Sequence, residues 1–401
     1  MTKRVAVIGG GVIGVSVAWH LADRGGFDVC VYERDQISSG TTWHSAGNIT
    51  RWPEPGDEKT SEYMFDIIPR LEKETGQETG WTTPGRLHLA SSAKGFEDIK
   101  KFAADAARLG YPGRIIPLDE LESMHPLISS ENVFGAWFND QSGRVNPTDL
   151  TNAYAKGARS KGVKIRERVS IERIETEGSQ VKGIQTSEGF FEADYVVVCA
   201  GLWSRELLKP FDIHLGMSAL EHCYLIADTE TPLTRDTPSF ECEELAVYGR
   251  EEVGYFLVGF FDDYANVVDV KALPEIFSFA LLPDNLDQIA PYYENAMKLF
   301  PALQEAPIRN IINGPESFTI DAAPIVGGFE SIGGLYVACG MNSGGVSYSG
   351  MAGHHIADLL TGASPRFSEI DMSPERFDEK VKDHAWLDTQ VSRVVHGIFA
   401  D

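Results

Sequence analysis

The chain has 401 residues, of which 43% are hydrophobic and 23% charged, and its 59 acidic against 35 basic side chains give a formal net charge of −24. That length allows one large or two interlocked globular domains, and the acidity excludes a polyanionic partner, so neither nucleic acid nor an anionic membrane surface is expected. Five cysteines, Cys30, Cys199, Cys223, Cys242 and Cys339, are odd in number and contain no C-x-x-C pair, which points to free thiols in a reducing, cytoplasmic setting with no metal site.

The order of elements starts with a nucleotide-binding pattern. Val5-Ala-Val-Ile-Gly9-Gly-Gly11-Val-Ile-Gly14 reads as a buried strand entering a helix through the G-x-G-x-x-G spacing. Gly9 allows the sharp turn, Gly11 lets a pyrophosphate approach without a Cβ in the way, and Gly14 lets helix and strand pack closely. The helix start at Val12 and Ile13 then aims N–H groups and a positive dipole end at the phosphates. A second strand, Asp28–Glu33, ends in an acid about twenty residues on, where a carboxylate accepts ribose hydroxyls. Strand, glycines, helix, strand and acid in register predict a dinucleotide, with NAD and FAD both open at this point. The same glycines account for the apolar start that superficially imitates a secretory signal, and no small-residue cleavage site follows. No other stretch approaches a membrane span.

The next segment decides the cofactor. Gly40-Thr41-Thr42-Trp43-His44-Ser45-Ala46-Gly47 resembles the Gly-Ser-Thr-Trp-His-Ala-Ala-Gly signature of the dimethylglycine and sarcosine dehydrogenase family, within the amine-oxidising flavoproteins related to D-amino-acid oxidase. The resemblance implies FAD, bound along Arg34 and the 40–47 segment and attached covalently through His44. The residues alone allow a nucleophilic imidazole there, or a histidine that only lines the cavity. Asn313-Gly-Pro-Glu-Ser-Phe-Thr-Ile-Asp321 is similar to the family's Gly-Pro-Glu-Ser-Phe-Thr-x-Asp segment almost letter for letter.

Between these landmarks the pattern predicts a helix over 57–76, a strand over 85–90, a helix over 94–109, a short helix at 117–125, a strand at 135–138 and a helix over 148–162 capped by Asn146 or Thr148. Arg51 is the candidate for holding a substrate carboxylate, by analogy with an arginine of related sarcosine oxidases. After a segment at 163–168 and a hairpin around 177–180, the run 192–201 reads as a buried parallel strand. Its end, Cys199-Ala200-Gly201 with Trp203, resembles the second FAD-contact motif of the superfamily, and Val169 belongs to the same expected set.

Residues 211–312 change to alternating aromatic and β-branched residues, with strands at 219–226, 244–250 and 254–259 and a solvent-facing helix over 283–300. By resemblance, His222 and Tyr248 flank the amine; without it, a histidine in an apolar strand reads as a core residue. The strand 333–340 then feeds Gly340-Met-Asn342-Ser343-Gly344-Gly345-Val346, whose helix start stabilises charge on a reduced flavin pyrimidine ring. The resemblance covers the oxidising half of the larger relatives and not their folate-binding aminomethyltransferase half, so capture of formaldehyde by tetrahydrofolate is not expected. A cysteinyl flavin bond is not expected either, since Ile311 and Ile312 occupy the neighbourhood of the cysteine that monomeric sarcosine oxidases use.

The fold expected is α/β: a Rossmann-like FAD-binding domain of glutathione-reductase type (1–50, 143–212 and 313–370), interleaved with an α+β substrate domain on a mixed antiparallel sheet (51–142 and 213–312), and a tail over 371–401. The function expected is FAD-dependent oxidation of a small secondary or tertiary amine, an N-methylated amino acid first, by hydride transfer to flavin N5 and hydrolysis of the iminium. Oxygen or an electron-transfer protein takes the electrons. Deamination of glycine or a D-amino acid, or a non-catalytic flavoprotein subunit or assembly factor, are the alternatives.

Overall fold

Small and β-branched residues in Lys3–Ile8 bury on both faces, which is what a parallel strand under two helical layers requires. The computed structural model describes residues 2–51, 57–111, 113–274 and 277–397; the last residues of the expected tail, 398–401, lie outside them. Lys3–Ile8 pairs in parallel with Phe27–Tyr32 on one side and with Tyr195–Val198 on the other. Lys164–Arg166 and Leu335–Cys339 extend the sheet in parallel, and Ile325–Gly328 closes one edge antiparallel. Val5 and Val7 face a core with Trp19, Tyr154 and Ile356. Ala6 and Ile8 face the other core with Ile174 and Ile184 of a small three-stranded sheet, Ile171–Glu177, Gln180–Thr186 and Gly189–Glu192. The first helix, Val12–Arg24, packs against Pro147–Ser160 and Gly345–Thr361. Asn146, not Thr148, is the cap of Pro147–Ser160: its side chain accepts from the Asp149 N–H, with Pro147 in the first turn.

The second sheet has eight strands, antiparallel except where Ser239–Cys242 runs parallel to Arg86–Ala90. Its two faces are chemically opposite, because side chains alternate along each strand. One face presents Leu87, Leu89, Leu225, Phe240, Val247 and Val258 to Ile289, Ala296 and Leu299 of the helix Leu286–Leu299. On the other, the register aligns Glu241 with Tyr248, Tyr248 with Gly259, Gly259 with Tyr224 and Tyr224 with Ile312, while His222 lies opposite Gly314. A sheet with one oily face on a helix and one polar, aromatic face turned inward makes a wall for a site.

Two expectations change here. The helix expected over 283–300 is not simply solvent-facing, since Ile289, Ala296 and Leu299 bury against the sheet. The strand expected from residue 244 starts only at Val247, because Cys242 pairs with Val247 and the chain reverses between them in a 3-10 turn, with Ala246 at φ 55°. The C-terminal segment is ordered packing: Val381, Leu387, Val391 and Val395 bury against Leu220 and Phe318, and Asp388 accepts from the Ser218 hydroxyl. Among the described residues no helix is long and apolar enough to cross a membrane, and no cluster of three or more His, Cys, Asp or Glu is placed to hold a metal.

Candidate active site

The glycine loop behaves as its spacing predicts. Gly9 has φ 110°, and a Cβ there would press into the Cys199 carbonyl; a Cβ on Gly14 would strike the Gly9 carbonyl. At Gly11 a Cβ would meet only the Thr42 hydroxyl, 3.1 Å away, so this position stays open toward the cavity. The Thr42 hydroxyl also accepts from the Val12 N–H and fixes the 40–47 segment over the helix start. Glu33 accepts from the N–H groups of Gly10 and Asp35, and burial raises its carboxyl pKa against those bonds. Arg34 lies 3.8 Å over the Trp203 ring, forming one wall.

These residues line a cavity of about 700 Å³, within the range of cofactor sites. Gly9, Gly11, Val12, Ile13, Glu33, Arg34, Gly40, Thr41 and Thr42 reach it from the opening unit; Val169, Ala200, Gly201 and Trp203 come from the middle, and Gly340, Ser343, Gly345 and Val346 from the closing turn. Gly14 does not line it and serves packing. Trp43 lines neither this cavity nor the next, and its ring packs edge-on against His44 and Phe279. The closing turn is held by Asn342, at φ 49°, whose amide oxygen accepts from the Thr319 N–H and whose NH₂ donates to the Ala322 and Gly340 carbonyls. That delivers the N-terminus of Gly345–Thr361 to the cavity wall.

A second cavity of about 210 Å³ adjoins the first, and Ser45, Glu316, Ser343 and Val346 line both. His44, Ala46, Gly47, Asn342 and Gly344, expected at the cofactor, face this second chamber. Its sheet wall carries His222 and Tyr248. The His222 Nε2 and Tyr248 Oη are 3.1 Å apart, with the rings parallel within 6°. Tyr248 also stacks on Phe261, and burial drives its phenol pKa well above the ordinary value, so it stays a neutral hydroxyl. Gly259, aligned beneath Tyr248, leaves room for that ring, since a Cβ there would strike it.

His44 is fully enclosed, and Gly314 of the second sheet passes directly against its ring, where a Cβ could not fit. Burial lowers the imidazole pKa, which keeps it neutral and nucleophilic. Among the described residues its Nε2 has no hydrogen-bond partner, and Nδ1 lies 3.9 Å from Glu316 Oε1. An orphaned ring nitrogen on the wall of the aromatic chamber, next to Ser45, which lines both cavities, suits a bond or contact to a cofactor ring.

Arg51 is not brought to either cavity. Its guanidinium donates to Gln141 and to Glu62 Oε1 and lies 5.4 Å from the centre of the Tyr111 ring. The arginine that does reach the chamber is Arg86, buried and ion-paired with Glu241. Burial pushes its pKa down to about 10, which leaves it charged at neutral pH. Arg86, Glu241, Tyr224 and Glu316 were not singled out from sequence. The alternation of Arg86 and His88 with Leu87 and Leu89 was the available signal for Arg86, and Glu316 stood inside a motif already noticed. His88 and His125 instead sit among aromatic rings, His88 beside Phe102 and Trp137 and His125 beside Phe240, Phe256 and Phe300.

A parallel sheet with a glycine-rich βαβ opening, a dinucleotide-sized cavity and a small aromatic chamber at one end define a nucleotide-cofactor oxidoreductase. Residues 4–359 match the FAD dependent oxidoreductase family, and the chain belongs to that family. It is 29% identical over 397 residues to mitochondrial dimethylglycine dehydrogenase of Rattus norvegicus, across 96% of this chain and 45% of that protein. It is 30% identical over 399 residues to 4-methylaminobutanoate oxidase (formaldehyde-forming) of Paenarthrobacter nicotinovorans, across 99% of this chain and 48% of that protein. The chain thus spans about half the length of the curated relatives it matches. Among solved structures, glycine oxidase from Geobacillus kaustophilus superposes with a TM-score of 0.79 at 22% identity, covering 94% of this chain and 100% of that one, which shows a shared fold.

Proposed function

We propose that this chain oxidises a small secondary or tertiary amine, an N-methylated amino acid first, to an iminium that water hydrolyses to an aldehyde and the dealkylated amine. One observation carries the reading: the 210 Å³ chamber that shares a wall with the dinucleotide cavity holds a hydrogen-bonded His222–Tyr248 pair among aromatic rings. FAD, when bound, supplies the two-electron acceptor. The protein's part is orientation, desolvation and proton handling. Gly9, Gly11, Thr42 and the start of Val12–Arg24 would hold the pyrophosphate, and the start of Gly345–Thr361 would face the flavin ring system. His222 positions the amine and takes its proton, so that the nitrogen lone pair is free to assist C–H cleavage. Tyr248, kept neutral, gives His222 a fixed orientation and closes one side. The small enclosed volume excludes bulk water from the reacting nitrogen. His44 is the proposed point of covalent attachment, through its unpartnered Nε2.

Anaerobic mixing with a panel of N-methylated and unmethylated amino acids, followed by flavin absorbance, tests this directly. Bleaching by methylated amines, with glycine and D-amino acids at least tenfold slower, is the expected result. The reverse order would move the assignment to deamination, and no bleaching by any amine would remove the enzymatic reading. Acid precipitation of the same sample is expected to leave the yellow colour in the pellet for the native protein and release it for His44→Ala; colour released from the native protein would exclude the linkage alone.

A further inference from the structure

Buried charge in the substrate chamber is unevenly matched. Arg86 and Glu241 neutralise each other as an ion pair on the sheet wall. Glu316 is 5% exposed and lines both cavities; among the described residues its Oε2 is without a hydrogen-bond partner, and its Oε1 lies 3.9 Å from His44 Nδ1. That imidazole does not supply a cation, because burial lowers its pKa. An isolated carboxylate in such a place is costly unless a positive partner arrives. The sheet register fixes where that partner would sit: Glu316 and Gly314 share one face of Ile308–Thr319, and Gly314 lies opposite His222. Glu316 is also close enough to Tyr248 to contribute to the upward shift of its phenol. The carboxylate, the His222 ring and the Tyr248 hydroxyl therefore enclose one small volume at the junction with the cofactor cavity.

We infer that Glu316 is the ammonium-binding residue of this chamber, so that the site captures its substrate amine in the cationic form; the inference rests on the amine-oxidation reading above. The ligand class it selects is a small alkylated ammonium, and an isosteric group with carbon in place of the charged nitrogen is refused. Capture as the cation precedes loss of the proton to His222, so the two roles are sequential. Mutual repulsion between Glu316 and a bare carboxylate would also disfavour substrates that lack the positive nitrogen.

Two ligands separate this idea from its alternatives. Trimethylammonioacetate and 3,3-dimethylbutanoate have the same branched shape and the same carboxylate, and differ in a cationic nitrogen against a neutral carbon. Neither offers an amine lone pair, so binding is read by titrating the flavin absorbance of the purified holoprotein, without turnover. Native protein is expected to bind the ammonium ligand about 10- to 100-fold more tightly, the range of a charge-assisted contact. Glu316→Gln is expected to bring the ratio close to one and Glu316→Asp to retain most of it, each protein being titrated at the same concentration of bound flavin. Equal binding of the two ligands by native protein would overturn the role of Glu316 even if Glu316→Gln failed to fold, and would leave the oxidation reading standing. A preference that survives in Glu316→Gln would also overturn it. If neither ligand perturbs the native flavin, the chamber does not take a small alkylated ammonium and the role of Glu316 falls, while the oxidation reading is decided separately by the bleaching of the flavin with N-methylated amino acids.

Discussion

Alanine at position 9 is expected to give a folded but largely colourless protein. Gly9 has φ 110°, and the added Cβ would lie 2.9 Å from the carbonyl carbon of Cys199 and closer still to its carbonyl oxygen. Neither side can yield, because the Gly9 N–H donates to the Tyr32 carbonyl and the Cys199 N–H donates to the Ile8 carbonyl, tying the loop to three strands. The conformational strain costs about 1–3 kcal/mol and the overlap about as much again, and both fall on the turn proposed to hold the phosphates. Flavin occupancy is therefore expected to fall about 100-fold or more, measured as the ratio of visible to ultraviolet absorbance after gel filtration. Gly178→Ala is the control: it also has positive φ, at 63°, but nothing lies within 4 Å of the added Cβ. It is expected to lose some stability and no flavin. Full flavin content in Gly9→Ala would mean that the cofactor does not rest on this loop.

The second large effect is catalytic. His222→Ala is expected to lower kcat/KM about 10²- to 10⁴-fold, the range of a positioned proton acceptor, while flavin content and melting temperature stay near native. Gly259→Ala is expected to act on the same step from behind. Its Cβ would strike the Tyr248 ring and push the hydroxyl off the His222 Nε2 without altering either functional group. Stopped-flow reduction by an N-methylated amino acid reads both variants at the first turnover. If His222→Ala reduces its flavin at nearly the native rate, the proton acceptor lies elsewhere.

Parts of the fold were legible wherever residue type itself dictates backbone shape. Gly9, Gly11 and Gly14 announce a turn, an open approach and a close packing whatever the rest of the chain does, and the closing turn at 340–346 speaks through the same chemistry. Alternation marked the strands of the second sheet, although it could not mark the short reversal at Glu243–Leu245. The chamber was much harder to foresee. Arg86 meets Glu241 across 155 positions of sequence, and only the strand order brings them together; neither residue looks unusual in its own neighbourhood. Arg51 shows the opposite problem, since its place beside the flavin segment suggested a role, whereas its guanidinium lines neither cavity and donates to Gln141 and Glu62. Glu316 lay in a motif already recognised, yet a motif says nothing of which carboxylate oxygen is left without a partner.

The 40–47 segment is gripped from far along the chain. The Thr41 hydroxyl donates to the Pro315 carbonyl, Arg250 donates to the Ala46 carbonyl, and Gly314 closes over His44. During synthesis the opening βαβ unit emerges long before any of these clamps exists, so a prosthetic group that seats on this segment is expected to load only once the strand around residue 315 has left the ribosome and docked. Maturation of the yellow protein is then a late, whole-chain event, and a fragment ending before that strand would remain pale however well its first sheet formed.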